Sequence, residues 1–407
     1  MRIIHTGDWH LGKNLEGFSR MEEQEAFLND FVQIVIENNV DLVLIAGDIY
    51  DSSNPPARAE KMFYDTLKKL SSDGERISLV IAGNHDNPER LVAAGPLAKD
   101  HGIVMVGTPK TIIETGEYGK HKVVASGEGF VEMEINGEKI VVITVPFPSE
   151  KRLNEVIYGE LDQEEEKLKS YSDKIYMLFD NLALNFRQDT INIVLSHIFA
   201  MGSEEAGSER SIQLGGSYIV EKECFPAEAQ YIALGHVHKP QNVPGTHGKV
   251  RYSGSPIHYS KKEISFKKRI ILIDAKAGVP CKIEERELKV YKPIEIWKCK
   301  SIQEAIERCE AEDDRNCWVY LEVETERYIR EDEIKIMKEF KKDILEIIPK
   351  LIGILKEEED AENLSELPFD QIFREFYEKE RGVAPENELV ELLMSIISEE
   401  GETNETN

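Results

Sequence analysis

Five short polar clusters, each directly behind an apolar run, constrain this chain more than anything else in it. Gly7-Asp8-Trp9-His10 follows Arg2-Ile3-Ile4, Gly47-Asp48 follows Leu42-Val43-Leu44-Ile45, and Gly83-Asn84-His85-Asp86 follows Leu79-Val80-Ile81. Ser196-His197 closes the run that begins at Ile191, and Gly235-His236-Val237-His238 follows Tyr231-Ile232-Ala233-Leu234. Runs of this length and composition read as buried strands, so every cluster stands where a strand ends. In open α/β sheets that edge is where ligands bind. One pattern therefore speaks to fold and to chemistry together.

The clusters count out as a two-metal site. Asp8, His10, Asp48, Asn84, His197, His236 and His238 offer three hard oxygens and four imidazoles. Two divalent ions roughly 3.5–4 Å apart need about that many ligands if one carboxylate bridges them. Asp48 is the natural bridge. One ion would take Asp8, His10, Asp48 and His238, and the other Asp48, Asn84, His197 and His236. Alternation in Asp8-x-His10 and His236-x-His238 is expected to put both side chains of each pair on one side of an extended segment. Mixed nitrogen and oxygen ligation without thiolate favours manganese, iron, cobalt or zinc over magnesium or calcium.

His85 neighbours Asn84, with its side chain expected to point elsewhere, toward a substrate whose leaving oxygen it would protonate. Asp86 is expected to orient that imidazole. A hydroxide between the two ions would attack phosphorus while the ions stabilise the developing charge. Taken singly these signals are weak. Gly-Asp is a common turn, and an isolated histidine near a strand end is more often a packed or surface residue. All five clusters in order, containing five of the ten histidines, carry the reading. His5 is expected to pack behind the site, and His101, His121 and His247 to lie on the surface, while His258 follows the loop Ser253-Gly254-Ser255-Pro256.

With 407 residues the chain exceeds one ordinary core. Residues 1–277 alternate strands and helices, including helices from Met21 to Asn38, from Pro55-Pro56 to about Leu70, and over Gln163–Phe186. A small α/β unit is expected over 278–355, with strands Ile294–Cys299 and Trp318–Val323, helices Ile302–Ala311 and Glu331–Lys342, and a strand near Ile347–Leu355. Residues 356–407 open with the acidic run Glu357-Glu358-Glu359-Asp360. Two apolar stripes at helical spacing follow, one of Phe369, Ile372, Phe373, Phe376 and Tyr377 and one of Leu389, Leu392, Leu393, Ile396 and Ile397. Such a pair either folds back on the body or docks in a partner's groove. Gly202 to Gly216, with Arg210 inside it, reads as a loop beside the site.

The net charge of −27 argues against a generic basic nucleic-acid binder. The last 52 residues alone hold 17 acidic and 4 basic side chains, and metal ions would invert the local field that a phosphodiester meets. Five scattered cysteines without CxxC spacing, an N-terminus that enters a strand at once, and no membrane-length apolar stretch lead us to expect a cytoplasmic chain with reduced thiols.

The motifs resemble those of the calcineurin-like metallophosphoesterases. Within them, His5-Thr6-Gly7-Asp8-Trp9-His10-Leu11-Gly12, Ala46-Gly47-Asp48-Ile49-Tyr50-Asp51, Ala82-Gly83-Asn84-His85-Asp86, Tyr231 to His238 and Arg251-Tyr252-Ser253-Gly254-Ser255-Pro256-Ile257 are similar to the bacterial SbcD nucleases. The resemblance implies an α/β fold, a metallophosphoesterase β-sandwich flanked by helices, with 278–355 as a capping domain that positions DNA. It implies DNA exonuclease and hairpin-opening endonuclease activity with Mn2+, and a homodimer assembled with an SbcC-type ATPase that the terminal helices would dock. Gly7 departs from the family's usual Ser. Asp51 stands where archaeal and eukaryotic relatives carry a second histidine, so that histidine's role is not carried over; a carboxylate there would orient a water or cap the turn, and the cap is the expectation. A phosphodiesterase acting on a small diester, and a scaffold that has lost catalysis, are the competing readings.

Overall fold

The computed structural model describes residues 1–149, 171–209 and 218–352, with a few isolated positions between 371 and 390. Two sheets organise it. The first has six strands in the order Val279–Glu287, Arg269–Lys276, Arg2–Thr6, Leu42–Ala46, Ile77–Ile81 and Ile103–Val106. Its last four strands run parallel. The second has eight: Gln241–Asn242, Val250–Tyr252, Tyr231–Gly235, Ile191–His197, Glu138–Val145, Phe130–Ile135, His121–Gly127 and Gly116–Tyr118. Its middle strands are parallel, and the far side is an antiparallel meander.

Residue alternation decides which layer each side chain enters. Ile3, Leu42, Leu44, Ile77 and Leu79 share a buried cluster with Val131, Met133, Ile140, Val142, Ile191 and Ile193 of the second sheet. The sheets therefore stack face to face around one apolar layer. Ile4, Val43, Ile45 and Val80 point the other way and pack beneath helices Met21–Glu37 and Ala57–Ser71. On the outer face of the second sheet, Ile143, Val194 and Ile232 pack with helix Tyr171–Ala183. Helices thus cover both outer faces of a sandwich, as expected for this fold class.

Several expectations need adjusting. The first sheet does not stop at residue 277: strand Val279–Glu287 pairs antiparallel with Arg269–Lys276, from Arg269 opposite Glu287 to Lys276 opposite Val279. Its charged, half-exposed composition hid it among loop-like sequence. His121 is buried, not superficial, with Nε2 bonded to the Glu75 carbonyl at 3.0 Å. Of the helix expected over Gln163–Phe186, residues Tyr171–Ala183 are described and helical.

The chain divides into two compact units. One comprises Met1–Trp297, Glu312–Leu321 and Lys341–Glu346, and the other Lys298–Ala311, Glu322–Phe340 and Ile347–Asn407. The strands Ile294–Cys299, Trp318–Thr325 and Ile344–Leu351 form a three-stranded sheet in that order, the last beginning three residues before its expected position. Helices Ile302–Ala311 and Glu331–Phe340 bury Ala305, Cys309 and Met337. The two apolar stripes at the C-terminus fall almost wholly outside the described residues. Cys224, Cys281 and Cys317 are free thiols. Among the described residues no helix is long and apolar enough to cross a membrane.

Candidate active site

The polar clusters converge because adjacent strand ends keep bonding after the sheet has finished. Asp8 N–H donates to the Gly47 carbonyl at 3.0 Å, His10 N–H to Asp48 at 2.9 Å and Leu11 N–H to Ile49 at 2.9 Å. Along this stretch Asp8, His10 and Asp48 adopt left-handed backbone, with φ of 53°, 44° and 49°, and His236 has φ of 100°. Such conformations cost on the order of 1–3 kcal/mol each in side-chain-bearing residues, and they concentrate at functional sites. The segments are therefore turned, not extended as expected. His236 and His238 fall into different groups, in line with the assignment of one to each ion.

Two glycines make the close approach possible. A Cβ on Gly83 would collide with the Asp48 carboxylate, and one on Gly235 would overlap the Ala46 carbonyl oxygen. Their role is space at a crossing point between chain segments.

Three groups of side chains have ligand atoms within 4.8 Å of one another: Asp8, His10 and His238; Asp48, His197 and His236; and His10, Asp51 and His85, which shares His10 with the first. In the first, His10 Nε2 and His238 Nε2 face each other at 2.9 Å. Asp8 Oδ1 accepts from the His236 N–H at 2.8 Å, while Asp8 Oδ2 and His10 Nδ1 are buried without a hydrogen-bond partner. In the second, Asn84 Oδ1 lies 3.0 Å from His197 Nε2 and 3.2 Å from His236 Nδ1. His197 Nδ1–H donates to the Ala46 carbonyl at 2.8 Å, which turns Nε2 toward the cluster. Asp48 joins the groups, because its Oδ2 is 3.5 Å from both His10 Nε2 and His197 Nε2. All seven residues singled out as ligands are thus brought together.

Buried acceptors that face each other need a cation or a proton between them. The electrostatics of the metal-free chain say the same. Burial pulls the His197 imidazolium down, but Asp48 and Asp8 outweigh it and hold that group up at about 9. Burial pushes Asp48 up, yet His197 and His10 overcome it, and the carboxylate sits well below its ordinary range. Burial drives Asp8 well above its usual value. It also drives His236 down to about 3, aided by the His197 charge, and pushes His10 and His238 well below theirs. Neutral imidazoles are the form that binds metal. An orphaned carboxylate oxygen, neutral histidines and converging acceptors fit divalent ions.

His85 lies beside the first group, its ring 4.7 Å from that of His10 and edge-on to it. Its N–H donates to Asp48 Oδ1 at 2.9 Å, and its Nδ1–H to the Asp51 carbonyl at 2.7 Å. The expectation that Asp86 orients this ring is not met. Asp86 accepts from the amides of Gly83, Ile49 and Tyr50 at 2.8, 3.1 and 3.0 Å, tying two motif loops together. Asp51 is not a turn cap either: its carboxylate pairs with Lys13 at 2.8 Å and lies 3.6 Å from His10 Nδ1. His5 packs behind the site as expected, with Nδ1 2.8 Å from the Tyr231 hydroxyl. His258 Nε2 binds the Phe266 carbonyl at 3.0 Å, away from the cluster.

Sequence reading missed the supports. Gln24 Nε2 holds the His10 carbonyl at 2.8 Å, and the Tyr259 hydroxyl donates to the Trp9 carbonyl. Ser208, Glu263 and Lys268 surround His238. These residues are scattered along the chain at no diagnostic spacing. The hints of proximity were two loops, Gly202 to Gly216, which carries Ser208, and Ser253 to Pro256, which precedes Tyr259.

Comparison with known proteins agrees with this geometry. The family model for calcineurin-like phosphoesterases matches residues 1–240, and that for the type 5 capsule protein repressor C-terminal domain matches 290–381. The chain is 38% identical to the SbcD subunit of nuclease SbcCD from Bacillus subtilis (strain 168), over 98% of both chains. It is 31% identical to the SbcD subunit of nuclease SbcCD from Rhodobacter capsulatus, over 68% of this chain and 67% of that one. A calcineurin-like sandwich with two acceptor-rich groups at its strand ends, and near full-length similarity to such a nuclease subunit, make the chain a member of the SbcD nuclease family of calcineurin-like phosphoesterases.

Proposed function

We propose that this chain cleaves DNA as the nuclease subunit of an SbcCD-like complex, with exonuclease activity on ends and endonuclease activity on hairpins and single strands. Family membership makes it a metal-dependent nuclease, a hydrolase of phosphodiester bonds. The observation that carries the reading is the convergence of buried acceptors: Asp8 Oδ2 without a partner, His10 and His238 nitrogen to nitrogen, and Asn84 Oδ1 between two imidazoles.

We assign one ion to Asp8, His10, Asp48 and His238 and a second to Asp48, Asn84, His197 and His236, with manganese as the metal. Bound divalent ions would supply an activated water and Lewis-acid stabilisation of the phosphoryl oxygens. The protein's own groups do the rest. Burial keeps His10, His236 and His238 neutral, so that they are ready as ligands. His85, held through Nδ1 by the Asp51 carbonyl, keeps Nε2 for the substrate and protonates the leaving oxygen. The Asp48 carboxylate, held well below its ordinary range by His197 and His10, places negative charge where cations, not the phosphodiester, are to bind.

The region 278–355, past the hairpin strand that ends at Glu287, would act as a cap positioning DNA. Residues 356–407 would dock an SbcC-type ATPase, with the assembly built on a homodimer. A partner that supplies the phosphate-binding surface explains how a subunit of net charge −27 can serve DNA. A small-diester phosphodiesterase leaves the match over 290–381 without a purpose.

The test is cleavage of a hairpin-ended duplex by the purified chain with Mn2+, with His85→Ala as control, and then with the ATPase partner added. Cutting that is lost in the variant while metal stays bound supports the nuclease and the acid together. Faster turnover of a small phosphodiester than of DNA, with the partner present, would displace this reading.

A further inference from the structure

The far nitrogen of His238 rests on a side chain, whereas that of His197 rests on the main chain. Ser208 Oγ lies 2.5 Å from His238 Nδ1 and also bonds Glu263 Oε1. Glu263 Oε2 in turn accepts from Lys268 Nζ. Lys268 sends its remaining protons to Ser255 Oγ at 2.7 Å and to the His238 carbonyl at 3.1 Å. Glu263 and Lys268 are 0% and 2% exposed, so water cannot take over these bonds.

Counting protons fixes the direction of the chain of bonds. An ammonium has three donors, and Lys268 places all three. Glu263 accepts on both oxygens, from Ser208 Oγ and from Lys268 Nζ. A hydroxyl has one proton, and that of Ser208 goes to Glu263. Ser208 Oγ must then accept from His238, which makes His238 the Nδ1–H tautomer with its Nε2 lone pair on the side of His10 and Asp8. The loop carrying Ser208 is itself fastened to His238. Glu209 accepts from the His238 N–H at 2.9 Å and the Ala206 N–H at 2.7 Å through Oε1, and from the Gly207 and Ser208 N–H groups at 2.7 and 3.1 Å through Oε2.

We propose that Ser208 and Glu263 are positioning residues for His238 and set the metal affinity of the Asp8–His10–His238 group without acting on the Asp48–His197–His236 group. The inference rests on the two-ion reading above. Partners of this kind behind a ligating histidine are typically worth 10–100-fold in metal affinity. Among the described residues no comparable link runs from Ser208 to His197 or His236, whose supports are the Ala46 carbonyl and Asn84.

The experiment is calorimetric titration of Mn2+ into the metal-free full-length chain, as wild type, Ser208→Ala and Ser208→Thr, alongside thermal unfolding of each metal-free protein. Two binding events are expected in the wild type. In Ser208→Ala one of them should weaken by roughly 10–100-fold and the other stay put. Ser208→Thr, which keeps the hydroxyl, should restore both, with metal-free melting unchanged across the set. A Ser208→Ala chain that retains both affinities, loses both alike, or is not rescued by Ser208→Thr overturns the positioning role. A wild type that takes up fewer than two ions overturns the two-ion reading, and this inference with it.

Discussion

The two acceptor-rich groups lie side by side on the same strand ends, yet they are held by different means. The Asp48–His197–His236 group is fastened largely by main chain: His197 to the Ala46 carbonyl, and Asp48 to the His85 N–H. The Asp8–His10–His238 group leans on side chains drawn from distant sequence: Ser208 behind His238, Gln24 on the His10 carbonyl, and Asp51 near His10 Nδ1. A support made of backbone comes with the fold and tolerates sequence change. A support made of side chains can be tuned by one substitution, and so can the group it serves.

Asp48, which faces both groups, is where the contrast should vanish. Asp48→Ala is expected to abolish uptake at both sites in a Mn2+ titration. Cleavage should fall by more than the roughly 10²–10³-fold that one electrostatic donor is worth. Retention of one full-affinity ion would break the picture of a shared carboxylate. His85→Asn should lower kcat by on the order of 10²–10⁴-fold while both ions still bind, since it removes a proton donor and no ligand. A parallel loss of metal in the titration would recast His85 as a ligand.

Smaller effects sharpen the difference. Gly235→Ala forces a Cβ onto the Ala46 carbonyl, the same carbonyl that fixes His197, and overpacking of this kind costs about 1–3 kcal/mol. Chemical denaturation of the metal-free chain would measure it, and the second group should suffer more than the first. Gln24→Leu leaves the buried His10 carbonyl without its side-chain donor, at about 1–3 kcal/mol, and should weaken the first group selectively.

The pH dependence of the metal-free chain has two limbs of opposite origin. His5 and His236, each depressed to about 3 chiefly by burial, favour folding while neutral. Below an unfolded value near 6.5 the unfolded chain takes up those protons first, so stability should decline as pH falls from about 6.5 toward 3. His197, held up at about 9 despite its burial by Asp48 and Asp8, contributes fully below about 6.5, and its share is lost as pH rises through about 9. Melting temperatures across this range, with and without Mn2+, would check both limbs. Metal at about 100 times its dissociation constant should add about 2.7 kcal/mol per site.

Much of this molecule was legible in its residues alone. The apolar runs at Leu42–Ala46, Ile77–Ile81, Ile191–His197 and Tyr231–Gly235 are strands because they are buried on both faces, and continuous hydrophobicity is the signature of that environment. Strand Val279–Glu287 escaped notice for the complementary reason: it lies at a sheet edge, charged and partly exposed, without the pattern that burial imposes. Asp86 and Asp51 were misread because neighbours in sequence were taken for neighbours in function. The turned backbone instead sends Asp86 to three amides and Asp51 to Lys13.

What the sequence alone determined is the inventory and its order: seven candidate ligands and one candidate acid, each placed by the strand that precedes it. That information is local, since a strand end is set by where apolar residues stop. The fold alone supplied the left-handed turns at Asp8, His10, Asp48 and His236, the carbonyl that fixes His197, and the serine that stands behind His238. Those depend on contacts between residues tens to hundreds of positions apart, where no local spacing records the encounter.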